Sequence, residues 1–170
     1  MPLVLITDAN VWIDLQTGQV LADAVKLDFE LVLPDVVHSE LERRRPALFE
    51  ELRLLVDLQH VVLGELDPSG VQLALSLGER YPRPQRPDLF SLTMAKLRKA
   101  ILVTGDKHLR EAAEAERVEV HGTLWLMEAL VAQEVVTKRR ATGALRRMLR
   151  GDRRLPESEC ERLMRRWGTR

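Results

Sequence analysis

Short apolar runs alternate along this chain with longer stretches in which apolar residues recur every three or four positions. Leu3-Val4-Leu5-Ile6 is apolar at four successive positions, the pattern of a strand buried on both faces. A helical pattern follows from Ala9 to about Val25, interrupted near Thr17-Gly18. Phe29 to Leu33 reads as a second strand closed by Pro34-Asp35, with Asp35 expected to cap the next helix through Leu41. Arg43-Arg44-Arg45 precedes Pro46, which pushes its neighbour out of helical geometry, so a break is expected there. Leu48, Leu52, Leu55 and Val56 make one stripe of a helix from Ala47 to Leu58, and His60 to Gly64 is a third strand. Asp67-Pro68-Ser69 opens a helix with Leu73, Ala74 and Leu77 inward, which Gly78 is expected to stop. The proline-rich loop Tyr81 to Pro87 leads to Asp88 and a helix ending near Lys99. Ala100 to Thr104 is a fourth strand, a helix spans Leu109 to Glu116, and Val118 to Val120 is a fifth strand. His121-Gly122-Thr123 opens a helix from Leu124 to Gln133, and two basic amphipathic helices, about Arg139–Leu149 and Glu157–Trp167, follow.

Strands alternating with helices predict a three-layer α/β sandwich around a mostly parallel five-stranded sheet. Residues 1–136 form the expected domain, and residues 137–170 a helical extension packed on it or continuing it. There is no internal repeat and no low-complexity tract.

Composition narrows the picture. A chain of 170 residues is long enough for a core without disulfides, and Cys160, its single cysteine, excludes a disulfide framework and a cysteine-rich zinc site. No apolar run is long enough to cross a membrane, and Met1-Pro2 runs into the first strand without a secretory pattern, so a cytoplasmic protein is expected. The zero net charge hides an asymmetry. Residues 137–170 hold twelve Lys/Arg against four acids, a net of +8, and residues 1–136 carry the balancing −8. Such a tail either folds back on its own acidic body or tracks the phosphates of a nucleic acid.

The candidate chemistry lies in acids at strand ends. Leu5-Ile6-Thr7-Asp8 and Leu102-Val103-Thr104-Gly105-Asp106 finish alike. In a parallel sheet all carboxyl ends share one edge, and ligands bind there where the strand order reverses. Asp88 arrives in the turn that delivers the chain to the fourth strand, and Glu40 sits on the helix after the second. Singly, Asp88 and Asp106 are ordinary helix-start acids and Glu40 an ordinary helix residue. Gathered together they repel and raise one another's pKa unless a cation is present, and an oxygen-only set favours Mg²⁺ or Mn²⁺.

Asp8-Ala9-Asn10, the helical Glu40, Asp88 heading its helix, and Val103-Thr104-Gly105-Asp106-Lys107-His108-Leu109 resemble the PIN-domain nucleases, among them the VapC-like toxins. The resemblance spans roughly residues 3–133. It implies neighbouring first and fourth strands and a divalent-metal-dependent endoribonuclease with Asp8, Glu40, Asp88 and Asp106 as catalytic, metal-binding acids. Asn10 would orient Asp8 or a water, and Thr104 would hydrogen-bond within the cluster. The loop before Asp88 is longer and richer in proline than in the compact toxins, and the segment after Gln133 is an addition many of them lack.

Lys107, Arg110 and Arg45 are candidates for substrate phosphates. With only 4% aromatic residues there is little material for stacking bases, so strong sequence reading is not expected. The expected partners are RNA, a second copy of the chain in a homodimer, and an antitoxin if the chain is one half of a toxin–antitoxin pair. Two other readings stand beside this one. The first is a PIN-like module that binds protein or RNA without cutting. The second is a phosphatase of the haloacid-dehalogenase type, which wants an aspartate where Asn10 stands.

Overall fold

The computed structural model describes residues 2–168; Arg170, counted above among the tail's cations, lies outside them. The elements in chain order are β1 (Leu3–Thr7), α1 (Ala9–Thr17), α2 (Leu21–Ala24), β2 (Phe29–Pro34), α3 (Asp35–Arg44) and α4 (Pro46–Asp57). Then come β3 (Val62–Gly64), α5 (Pro68–Arg80), α6 (Arg86–Arg98), β4 (Ile101–Val103) and α7 (Lys107–Ala115). Last are β5 (Val120–His121), α8 (Thr123–Ala132), α9 (Lys138–Arg150) and α10 (Glu157–Arg166). The strands form one sheet in the order β3-β2-β1-β4-β5, and every pairing is parallel. The chain starts in the middle, steps outward to β2 and β3, then returns to the other side of β1 for β4 and β5. The order therefore reverses between β1 and β4, where Leu5 pairs Ile101 and Thr7 pairs Val103.

Residues on a strand point alternately to opposite faces, which divides the core in two. Leu5, Leu31, Leu33, Ile101 and Val103 face a cluster completed by α1, α3, α4, α8, α9 and α10. Ile6, Val32 and Leu102 face the second cluster, with α5, α6 and α7. Helix α6 is buried from Leu89 to Ala95 without interruption, so its polar members must be satisfied locally. Thr93 Oγ1 donates to the Leu89 carbonyl at 2.7 Å and Ser91 Oγ to that of Pro87 at 3.1 Å. The C-terminal segment is part of the core: Ala141, Ala144, Leu145 and Met148 of α9 are fully buried, and Cys160 and Leu163 of α10 join the same cluster. Among the described residues no helix is long and apolar enough to cross a membrane.

Two local expectations are corrected. Helix α5 does not stop at Gly78 but runs on to Arg80. A Cβ at Gly78 would stand 3.1 Å from Leu89 Cδ1, so the glycine serves the close approach of α5 to α6. The helix ends instead at Tyr81, the residue before Pro82. Asp35 is the first residue of α3 rather than its cap; Pro34 holds the cap position, and Asp35 Oδ1 accepts its neighbour Val36 N–H at 2.8 Å.

Candidate active site

Asp8 ends β1 at the point of reversal. It caps α1, with Oδ1 accepting the Val11 N–H at 2.9 Å, while its own N–H donates to the Val103 carbonyl of β4 at 3.1 Å. Oδ2 accepts a hydrogen bond from Thr104 Oγ1. Thr104 Oγ1 in turn accepts the Asp106 N–H at 3.0 Å, and Asp106 Oδ1 caps α7 through the Leu109 N–H at 2.7 Å. Thr104 is fully buried, so a single hydroxyl links the ends of both strands. Asp88 lies in the first turn of α6, where its Oδ2 accepts the Gln85 N–H at 2.8 Å.

The acids act on one another electrostatically. Burial, chiefly, pushes the Asp8 carboxyl up to about 7, with the charges of Asp88 and Asp14 adding to the rise and the bonds from Thr104 and Val11 opposing it. Burial likewise pushes Asp88 up to about 6; the Gln85 N–H opposes this, and the charges of Asp106 and Glu40 add to it. The four sequence-predicted acids thus share one electric field at the switch point. Their grouping is open, however. Glu40 is engaged by Arg44 one turn along α3, and among the described residues no three His, Cys, Asp or Glu side chains gather closely enough to form a ready metal cage.

The other predicted residues divide. Thr104 is bonded into the cluster as expected. Asn10 is exposed, and its amide oxygen stands 3.5 Å from Arg153 Nη2, so its recorded contact is to Arg153 rather than Asp8. Arg110 reaches back to the Thr104 carbonyl at 3.3 Å. Lys107 extends into solvent, 3.8 Å from Glu111, and Arg45 is exposed at the joint of α3 and α4.

The distant partners of one α1 carboxylate escaped the sequence. Asp14, on α1 one turn beyond Asn10, is buried and accepts Thr123 Oγ1 of α8 at 2.6 Å and Arg153 Nε at 2.6 Å. Burial raises the Asp14 carboxyl, and the bonds from Thr123 and Arg153 and the guanidinium charge counter it. Asp152 takes the left-handed backbone conformation (φ 58°) in the turn from which Arg153 extends. Asp14 and Asn10 carry a helical spacing that relates them, but no pattern in the sequence relates either to an arginine 139 residues later. Three more of the tail's arginines meet the body: Arg140 pairs with Asp23 at 2.5 Å, Arg147 donates to the Gly18 carbonyl at 2.9 and 3.1 Å, and Arg166 pairs with Glu128.

An all-parallel sheet with a buried carboxylate and three half-buried acids at its switch point is an α/β fold with its candidate site at the carboxyl edge of the strands. The pattern of the DUF3368 family, a PIN domain, matches residues 4–169, and the chain belongs to that family. The match includes α9 and α10, in keeping with their place in the core. No curated protein is similar enough to the chain to count as a match.

Proposed function

We propose that the chain is a divalent-metal-dependent endoribonuclease that hydrolyses RNA phosphodiester bonds. The carrying observation is the Asp8 carboxyl, buried between Thr104 and Val11 in the field of Asp88, which itself feels Asp106 and Glu40. Burying mutually repelling acids is costly, and a cation would reverse the cost. The donor set fits Mg²⁺ or Mn²⁺: it is oxygen only, and a small hard ion keeps several of its waters and needs one or two carboxylates rather than a closed cage. That preference accommodates the open grouping of the acids. Asp8 and Asp106, joined through Thr104, would hold the ion, with Asp88 and Glu40 beside it.

A bound divalent ion supplies positive charge at the phosphate and acidifies water. The chain's residues do the rest. Thr104 fixes the Asp8 carboxylate, and the α1 N-terminus holds its other oxygen. Asp88, held beside the cluster by the Gln85 N–H, is the carboxylate placed to take a proton from the attacking water. Lys107 is free to meet substrate phosphate, whereas Arg110 must first leave the Thr104 carbonyl.

The test is cleavage of a mixed RNA pool with Mn²⁺, with EDTA, and with Asp8→Asn. Cleavage that needs the ion and is lost in the variant is expected; undiminished cleavage by Asp8→Asn would sink the assignment. One observation favours a second reading, a PIN-like module that binds RNA or protein without cutting: Arg44 already occupies Glu40. Ion-dependent binding of the pool with no cleavage under any condition would favour it. We also propose a cytoplasmic homodimer with a toxin's role and an antitoxin partner. Inspection of the adjacent reading frame and the mass of the purified protein in solution test those parts.

A further inference from the structure

A cavity of about 310 Å³ lies between the proline-rich loop and α7. Its walls stand next in the chain to residues that hold two of the acids. On one side Pro84 precedes Gln85, whose N–H holds Asp88. On the other His108 precedes Leu109, whose N–H holds Asp106. The cavity is therefore a chamber whose lining is one residue removed, along the chain, from the supports of two acids. Its volume sits at the low end of small-molecule pockets, the scale of one nucleoside rather than an oligonucleotide.

The lining differs from the rest of the site. The chain's only tyrosine, Tyr81, is here, and its hydroxyl donates to Glu116 at 2.8 Å, which tethers the ring. Pro82 and Pro84 add rigid apolar surface. The Arg80 guanidinium lies over the Tyr81 ring, 6.0 Å from its centroid, so a base would stack on the ring's other face, beside the apolar walls. The scarcity of aromatic residues argues against base reading along the whole chain, but it does not apply to a single chamber where one has been placed.

Two polar groups set what the chamber recognises. Glu111 borders it, and its nearest partners, Lys107 Nζ at 3.8 Å and His108 Nδ1 at 3.7 Å, are beyond hydrogen-bond distance. His108 Nδ1 is buried without a hydrogen-bond partner among the described residues. A carboxylate that accepts two parallel N–H bonds matches the edge of guanine, where N1–H and the 2-amino group stand side by side; the other three bases offer no such pair. Arg83, exposed at the rim, is the cation available to a flanking phosphate.

We propose that this chamber is a guanine subsite, seating a guanine that flanks the phosphodiester presented to the acids. The inference rests on the ribonuclease reading for the source of the guanine, but its binding test does not. GMP, AMP, CMP and UMP are titrated separately into the full chain in EDTA and followed by calorimetry, with folding of each variant checked by circular dichroism. GMP is expected to bind roughly tenfold tighter than the other three, and Glu111→Gln to erase that preference. Tyr81→Ala should weaken GMP and AMP together. Equal affinity for all four nucleotides, binding by none of them, or a guanine preference that survives Glu111→Gln overturns the proposal. Guanine preference in a chain that never cuts RNA leaves the subsite standing and sinks the ribonuclease reading. Cutting without a guanine neighbour, together with indifferent nucleotide binding, does the opposite.

Discussion

Replacing Asp8 with asparagine should make the ion-free protein more stable at pH 8 and abolish its response to divalent ions. The Asp8 carboxyl is raised from 3.8 to about 7, so the folded state holds its proton more tightly than the unfolded state does. Below about pH 4 both states carry the proton and the group costs nothing. As pH rises from there to about 7 the unfolded state releases its proton while the folded state keeps it, so unfolding gains a proton release and stability falls, levelling off above about 7. A shift of about three pKa units corresponds to roughly 4 kcal/mol at pH 8. Asparagine keeps an oxygen for the Val11 N–H but no longer accepts from Thr104 as a carboxylate does, a loss of about 1 kcal/mol. The expected net gain is about 3 kcal/mol, or roughly 1–2 M in urea midpoint. The assay is urea unfolding of both proteins in EDTA from pH 4 to pH 8, repeated at pH 8 with Mg²⁺ or Mn²⁺. At a hundred times its dissociation constant the ion should stabilise the parent by about 2.7 kcal/mol and leave the variant unmoved. If both proteins lose stability between pH 4 and pH 7 along the same slope, the strain lies elsewhere and the reasoning about Asp8 is wrong.

Thr104→Val removes the hydroxyl that bridges Asp8 and Asp106 while nearly preserving its volume; the Asp8 pKa should rise further and the pH–rate curve for RNA cleavage move to higher pH. Arg153→Ala leaves the Asp14 carboxylate buried with only Thr123, which should cost about 3 kcal/mol in urea unfolding at pH 7, while Asp14→Asn added to it should recover part of the loss. Leu145→Ala opens a void under α9 and should cost about 2–5 kcal/mol; a change within error would mean that α9 is not a core helix.

The sheet was legible because its central strands are buried on both faces over most of their length and so appear as unbroken apolar runs, as at Leu5–Ile6 and Ile101–Val103. The acids were legible for the same reason: Asp8 and Asp106 follow those runs immediately, and parallel pairing brings them to one edge. Local rules misled where a residue serves a neighbour in space. Gly78 reads as a stop signal, yet Leu89 of the next helix is what requires it to be small. Asn10, two residues from Asp8, also stands 3.5 Å from Arg153, a neighbour that no local spacing shows. The basic tail was legible as a charge imbalance, while its division between Asp23, Asp14, Glu128 and open solvent depends on tertiary packing that periodicity does not carry.

The burial of α9 against α1 has a consequence for biosynthesis. The inner face of α1 carries Trp12 and Leu15, and the cluster that covers them includes Leu145 and Met148 of α9, made well after α1. A chain emerging from the ribosome therefore has β1, Asp8 and α1 available early but lacks their cover until α9 has followed. Domains fold as units, so the acids at the switch point gain their rigid surroundings only once α9 can pack on α1. The switch-point site would on this account stay unassembled through the synthesis of everything between the two helices.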